Sequence, residues 1–406
     1  MEEQLTLNQR VVGSSPSAST SLKPRGARHR GAFFACGGAN KGIAIRGGEG
    51  DSAGTCRRGS RRKERTMKKY NVCMVGIGAV GTEIVRLLRK REFPMAKLTA
   101  FARSERTEMI DGEPLEVKVA TGGESFKGYD FAFFAGTEGA KGASKTLGWA
   151  AAEAGCTVID NGDDFRMDPR VPLCIPEINP ESLRGHQNFI ANPNCSTAIA
   201  LMPLYALHKE AGIKRIVCCT YQAVSGAGGA AIRELEAETK AWAAGEAAPA
   251  PSVFPAPIAF NVIAKIGSES KDMAGYTSEE VKLGRETKKI LGDDSILVAS
   301  TCVRVPVFNS HSEALHVEFK KPITPERARE ILEHAEGVRV VDDLGASRFP
   351  MPIEASGKYE ALVGRIRKDP TVENGLALFV AGDNIWKGAA LNAIQIAEKM
   401  IEMGLK

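Results

Sequence analysis

The residues best suited to covalent chemistry lie in the run Asn192-Pro193-Asn194-Cys195-Ser196-Thr197. Phe189-Ile190-Ala191 leads in as a short strand, and Ile199, Leu201, Met202, Leu204 and Leu207 follow at helical spacing, which puts Cys195 at a helix entrance. The first turn of a helix offers unpaired amides and partial positive charge, and both favour the reactive thiolate. Cys73, Cys156, Cys174, Cys218, Cys219 and Cys302 read instead as buried packing, the usual state of an isolated cysteine. A second signature is Gly76-Ile77-Gly78-Ala79-Val80-Gly81, which follows a strand at Tyr70 to Val75 and opens a helix carrying Ile84, Val85, Leu87 and Leu88. Glycines there permit a tight turn and close backbone approach, and the helix N-terminus offers amides to a pyrophosphate.

The next strand, Lys97 to Ala102, ends in Arg103-Ser104-Glu105-Arg106, where an acidic residue would bind a ribose 2′-hydroxyl. Cationic and hydroxyl donors at Arg103 and Ser104 suit a 2′-phosphate, so NADP is expected over NAD. Strands at Asp130 to Ala135 and Cys156 to Asp160 flank a helix near Ser144 to Glu153. Alternation of strand and helix implies a parallel, doubly wound sheet. The fold expected is an α/β Rossmann-type domain over 67–194, an α+β substrate and dimerisation domain over 195–372, and a C-terminal helix within 373–406 packing back on the first. The Ala/Pro-rich stretch 241–257 reads as a loop or arm of the second domain.

Composition narrows the function classes. The chain has 406 residues and 43% hydrophobic content, enough for more than one core. No run reaches the roughly 18 apolar residues needed to cross a membrane. Its nine cysteines are scattered, without a Cys-x-x-Cys pair or a Cys/His cluster at zinc spacing, so neither a disulfide framework nor a metal site is expected. A reducing, cytoplasmic compartment is the simple reading. Residues 1–66 carry 13 Lys/Arg against five acids, so the net +5 of the whole chain resides in that segment and implies no nucleic-acid role for the body. That segment shows no hydrophobic period and reads as disordered. A start codon assigned upstream of Met67, an organelle transit peptide and a functional basic tail all remain open for it.

From residue 70 to 400 the chain resembles the aspartate-semialdehyde dehydrogenase family. The matching runs, in order, are Ile159-Asp160-Asn161 with Phe165-Arg166-Met167-Asp168, Pro176-Glu177-Ile178-Asn179, the Asn-Pro-Asn-Cys turn, and Thr220 to Gly228. They continue with Ile258 to Asn261, Gly275-Tyr276-Thr277 with Glu279 to Lys282, Arg304-Val305-Pro306-Val307, His311-Ser312-Glu313, and Asp383-Asn384 with Lys387 to Ala390. The resemblance implies a thiolate that displaces phosphate from an acyl phosphate and a thioester reduced by hydride from NADPH, in lysine, threonine and methionine biosynthesis. It implies Cys195 as nucleophile, Gln222 orienting the acyl group and His311 as acid/base. It implies Arg304 for the substrate α-carboxylate, Glu279 for its ammonium, and Lys282, Arg166 and Asn194 for the phosphoryl group. Ser225, Gly226 and Asn384 match residues near the cofactor, and a homodimer or homotetramer is expected.

The chain departs from the family pattern at four places. The glycine turn is one residue shorter than usual, Gly162-Asp163-Asp164 replaces small and hydroxyl residues beside a phosphate site, Trp386 stands where arginine is common, and Asn309-Ser310 precede His311 where glycine is common. Glyceraldehyde-3-phosphate dehydrogenases and N-acetyl-glutamyl-phosphate reductases share the logic of a cofactor domain and a thiol, but their nucleophile turns differ. A catalytically dead paralogue serving as a binding partner would be expected to have lost Cys195, Gln222, Arg304 or His311, and all four are present.

Overall fold

Two β-sheets organise the chain, in a computed structural model that describes residues 68–136 and 142–406. The readings made for residues 1–66 lie outside the described residues. The first sheet contains β1 (Tyr70–Val75), β2 (Met95–Phe101), β3 (Arg106–Ile110), β4 (Glu113–Lys118), β5 (Phe131–Phe134), β6 (Thr157–Asp160) and β7 (Phe189–Ala191), in the order β3-β4-β2-β1-β5-β6-β7. All neighbours run parallel except the β3/β4 pair. Sequences such as Phe-Ala-Phe-Phe in β5 are buried along their whole length because helices cover both faces of a parallel sheet. The β3/β4 hairpin was absent from the sequence reading. It turns on Asp111 and Gly112, both at positive φ, the two-residue turn that matches the twist of paired strands.

Helix α1 (Ala79–Lys90) follows β1 and buries Ile84, Val85, Leu87 and Leu88 against this sheet. The expected helix near Ser144 is a π-helical turn, Ser144–Gly148, continuing into α2 (Trp149–Glu153). The sheet reverses its winding between β1 and β5. Ligands of open α/β sheets bind in the crevice at such a switch point, and Gly76 and Ala135 stand at its mouth.

Helix α3 (Cys195–Ala211) leads into the second sheet, made of β8 (Ile213–Gln222), β9 (Leu297–Arg304), β10 (His311–Phe319), β11 (Val338–Val340), β12 (Ala361–Lys368) and β13 (Gly375–Gly382). Their order is β11-β12-β13-β10-β8-β9, with β8/β9 and β11/β12 parallel and the rest antiparallel. α3 lies on one face of this sheet and is apolar nearly all round, because it is also covered by the first domain. Strand β8 alternates, so Cys218 is buried against α3 while Cys219 is half-exposed on the opposite face, a correction to the reading of both as core.

Helix α4 (Gly229–Ala244) runs four residues into the stretch read as an arm. The loop after it is held by two carboxylates: Glu234 accepts the amides of Ser252, Val253 and Phe254, and Glu238 those of Ile258 and Ala259. Helix α5 (Ser278–Leu291) starts with a reciprocal Thr277/Glu280 cap. After α6 (Pro325–Glu333), the last helix, α7 (Leu391–Glu402), buries Leu391, Ile394, Ala397 and Met400 beside α1, and Arg91 pairs with Glu398 at 2.6 Å.

Candidate active site

Cross-strand register assembles one row of polar side chains at the end of the second sheet. Gln222 on β8 is opposite Arg304 on β9, and Ser312 on β10 is opposite Tyr221, which sets His311 beside Gln222. The face is the one covered by α3, so the row meets Cys195 at that helix's first residue. Cys195 Sγ lies 3.3 Å from His311 Nε2. The backbone N–H of Ala223 donates to His311 Nδ1 at 3.0 Å, which makes Nδ1 an acceptor and puts the proton of the neutral ring on Nε2, facing the sulfur. Burial, reinforced by the nearby Arg304 charge, holds the imidazole well below its usual range, so the ring is neutral at pH 7.

The helix entrance does not by itself make Cys195 a thiolate. Asn194 is the N-cap of α3, and its side-chain oxygen already accepts from the amides of Ser196 and Thr197. Burial and the Glu279 carboxylate push the thiol up to about 12, against the opposing pull of Arg166, Arg304 and the Ser196 amide. The sequence argument from the helix dipole is therefore corrected: a local field of the first turn is outweighed by desolvation from the tertiary fold. Two residues further along the same face, Glu313 is wholly buried and neither of its oxygens has a hydrogen-bond partner among the described residues. Burial raises its pKa well above the ordinary carboxylate range, which favours the neutral acid.

Helix α5 closes the other wall. Glu279 Oε1 accepts from Asn194 Nδ2 at 2.7 Å and from Gln222 Nε2 at 3.4 Å. One turn on, Lys282 Nζ is 2.7 Å from Asp163 Oδ2 and 3.8 Å from Glu279 Oε2. One further turn along, the buried Glu286 accepts from Asn194 N at 2.6 Å and pairs with Arg166 at 3.1 Å. Arg166 also donates to Asn192 O and Asn161 O, both at 2.9 Å, so it braces the loop that carries the nucleophile. Glu286 escaped the sequence reading. Its place seven residues after Glu279 on one helical face was the available signal.

Arg304 is buried, and its guanidinium makes a single hydrogen bond among the described residues, from Nη1 to the carbonyl of Ala223 at 2.7 Å, with the ring of Phe254 beneath it. No carboxylate pairs with it among the described residues. A buried guanidinium in that state presents a planar fork to an anionic ligand. Gly226 makes this approach possible, since a Cβ there would stand 3.0 Å from Arg304 Nη1 and 3.1 Å from the His311 ring.

Cys195, Gln222, Arg304, Glu279, Lys282, Arg166, Asn194, Ser225, Gly226, Asn384 and Val80 all line one cleft of about 220 Å³, and His311 stands behind the sulfur. Ser225 and Asn384 are joined by a hydrogen bond of 3.0 Å. A second cavity of about 760 Å³ is lined by Gly76, Ile77, Gly78, Arg103, Ala135, Gly136 and, from the second domain, Ala227 and Gly228. Val80 belongs to the thiol cleft although it lies in the same glycine turn as the lining of the larger cavity. Ala79, Gly81 and Ser104 line neither space. Gly81 packs against the Gly76 carbonyl, and Ser104 lies on the surface beside Arg106.

The larger cavity fits a dinucleotide. Gly76 has φ +92°, and a Cβ there would come within 2.7 Å of the Ala135 carbonyl, so only glycine keeps the wall this close. The N-cap of α1 is Gly78, whose lack of a side chain leaves the first-turn amides uncapped. Arg103 is exposed at the cavity rim and makes no ion pair among the described residues. No group of His, Cys, Asp and Glu among the described residues could hold a metal ion.

These features agree with what known proteins show. The family model for the semialdehyde dehydrogenase NAD binding domain matches residues 71–186, and that for the semialdehyde dehydrogenase dimerisation domain matches 204–387. The aspartate-semialdehyde dehydrogenase of Aquifex aeolicus is 46% identical over 345 residues, 83% of this chain and 99% of that protein. That of Streptomyces akiyoshiensis is 45% identical over 335 residues, 79% and 95% of the two. A crystal structure of aspartate semialdehyde dehydrogenase II from Vibrio cholerae complexed with ASA superposes with a TM-score of 0.77 at 40% identity, covering 83% of this chain and 99% of the other. Taken with the cleft that joins thiol, imidazole and unpaired guanidinium, these matches show that the chain belongs to the aspartate-semialdehyde dehydrogenase family.

Proposed function

We propose that this enzyme interconverts L-aspartyl 4-phosphate and L-aspartate 4-semialdehyde plus phosphate, with NADP as cofactor, in the aspartate pathway of amino-acid biosynthesis. The observation that carries the reading is the buried, unpaired Arg304 fork beside the Cys195/His311 pair, because it combines a nucleophile with a carboxylate receptor in one small cleft. Bound in the larger cavity, the nicotinamide cofactor supplies or accepts the hydride.

The residues of the chain do the rest. Arg304 holds the α-carboxylate and Glu279 the ammonium. Neutralising Glu279 removes the charge that most opposes thiolate formation after burial itself. Cys195 then attacks the acyl carbon: a C–S bond forms as the S–H bond breaks, and the C–O bond to phosphate breaks. The thiol's proton passes to the departing phosphate oxygen, Lys282, Arg166 and Asn194 receive that phosphate, and the thiolate expelled at the end of the cycle regains its proton from solvent. His311 Nε2–H hydrogen-bonds the oxygen on that carbon as negative charge collects there. Return of the electron pair from that oxygen re-forms the carbonyl and expels the thiolate, so the cycle closes without the ring taking a second proton at Nδ1, where the Ala223 amide stands. Gln222, tied to Glu279 and Thr220, orients the acyl group. Ser225, Gly226 and Asn384 lie at the nicotinamide end.

Arg103 selects NADP by meeting its 2′-phosphate, with Ser104 next to it on the rim. The open face of the second sheet, carrying Tyr221 and Leu297, is the surface through which we expect a homodimer or a tetramer of dimers to form. No helix among the described residues is long and apolar enough to cross a membrane, and the seven cysteines described are free. We assign the reaction to the cytoplasm. The test is phosphate-dependent NADP reduction with aspartate semialdehyde, run beside glyceraldehyde 3-phosphate and N-acetylglutamate semialdehyde. Faster turnover of either alternative substrate would replace this reading.

A further inference from the structure

Asp163 occupies the cation assigned above to the phosphoryl group. Its carboxylate is 2.7 Å from Lys282 Nζ, and each side chain of the pair retains about a quarter of its exposure, 29% for Asp163 and 25% for Lys282. Burial alone would raise the Asp163 carboxyl and lower the Lys282 ammonium, yet each is shifted the other way by its partner and neighbours, so the contact is a true ion pair. The loop that presents Asp163 is anchored at both ends. Gly162 N donates to Asp160 Oδ1 at 2.9 Å, and Arg166 is held by Asn161 O, Asn192 O and Glu286. Only the Asp163 side chain is left to move, and it borders solvent.

We propose that Asp163 is a displaceable counter-ion that sets the affinity of the phosphate subsite. Inorganic phosphate, or the phosphoryl group of the acyl phosphate, must expel this carboxylate from Lys282 before it can be held there. The carboxylate returns when phosphate leaves. The consequence is weak retention of phosphate and relief from inhibition by it in the reductive direction, at the cost of a higher KM for phosphate in the oxidative direction. This specificity role rests on the reading that Lys282 faces the phosphoryl group.

The experiment measures KM for phosphate and for aspartate semialdehyde in the full enzyme and in Asp163→Asn, Asp163→Ser, Asp163→Glu and Lys282→Ala. Removing a partly exposed ionic competitor should lower the KM for phosphate by roughly threefold to fivefold in the Asn and Ser variants. The KM for the semialdehyde should move by less than twofold, and inhibition of the reductive reaction by inorganic phosphate should strengthen in parallel. Asp163→Glu keeps the charge and should stay near the parent value. General damage to the loop would raise both constants, so tighter phosphate binding is a sign that a merely structural residue cannot give. If Lys282→Ala raises the KM for phosphate while Asp163→Asn and Asp163→Ser leave it unchanged or raise it, the counter-ion role is wrong and the subsite stands. If Lys282→Ala leaves the KM for phosphate unchanged, the subsite itself is misassigned and the proposal falls with it.

Discussion

The N-termini of α1 and α3 border the two cavities, and they are built in opposite ways. At α1 the cap is Gly78, the first-turn amides carry no side-chain acceptor, and the glycines around them keep the wall low. At α3 the cap is Asn194, whose oxygen takes up the amides of Ser196 and Thr197, and the first residue is Cys195. Both helices have the same dipole. The first leaves it open as an anion site, whereas the second has its amides occupied and uses its rigidity to hold a side chain in place. What charges the thiol then comes chiefly from beyond the helix, from the state of Glu279 and from Arg166 and Arg304, with the Ser196 amide the smaller pull.

The largest effect should come at α3. Cys195→Ser removes the only group in the cleft able to form the thioester, and turnover should fall on the order of a thousandfold or more. Cofactor binding, read by quenching of protein fluorescence with NADPH, should persist. Parent-like turnover in that variant would end the covalent route.

At α1 the comparison predicts two responses of opposite sign from one change. A Cβ at Gly78 meets nothing within 4 Å, and its backbone lies outside the positive-φ region, so Gly78→Asp fits without strain. The new carboxylate caps the helix and should at least preserve stability, with a gain of up to a few tenths of a kcal/mol over glycine. It also places an anion where the pyrophosphate belongs, and the KM for NADPH should rise tenfold or more. Unchanged cofactor affinity in a well-folded variant would show that the pyrophosphate does not use this helix end.

Much of this arrangement was legible in the sequence, and the parts that were not share a cause. Strand β1 spans Tyr70–Val75 as read, because a buried parallel strand is a continuous apolar run bounded by the glycine turn. The site residues from Arg166 to Asn384 that were read from the motifs line one cleft, with His311 behind it, most of them at the ends of strands or on the first turns of helices. The β3/β4 hairpin was missed because its strands are short, mostly charged on their outer face, and signalled only by Asp111-Gly112. Glu286 was missed because a charged residue on a polar-looking helix shows its burial only once the partner domain is in place. The thiol's protonation was misjudged because a dipole is read from neighbours in sequence, and desolvation is not.

A smaller effect separates field from dipole at the thiol. If Glu279 rather than the helix controls Cys195, then Glu279→Gln should lower the thiol's pKa from its elevated position, because a carboxylate disfavours a thiolate nearby. In the free enzyme at pH 8, alkylation of Cys195 by iodoacetamide should become several-fold faster, even as the KM for aspartate semialdehyde rises with loss of the ammonium contact. The parent's alkylation rate should still be climbing above pH 9, and His311, whose pKa lies well below the usual value, should add no step near pH 6.5. Slower alkylation in Glu279→Gln would return control to the first turn of α3.

The smallest effect on turnover belongs to Glu313, which reports how dry the α3 end is. Its folded pKa is raised by burial above the unfolded value near 4.5, so the native state keeps a proton that the unfolded chain releases as pH passes that value. The native state therefore binds more protons than the unfolded state over the window between the two pKa values, and the derivative of unfolding free energy with pH is negative there. Stability is full below the unfolded pKa and declines as pH rises, by at most about 1.4 kcal/mol per pH unit for one group. Glu313→Gln imitates the neutral acid in shape and cannot ionise, so it loses this slope. Urea midpoints should therefore shift in favour of the variant progressively as pH rises above 5 and level off once the raised folded pKa is passed, whatever the offset between the two proteins at pH 5. Parallel midpoint curves across that range would mean that Glu313 ionises in place, with water reaching it.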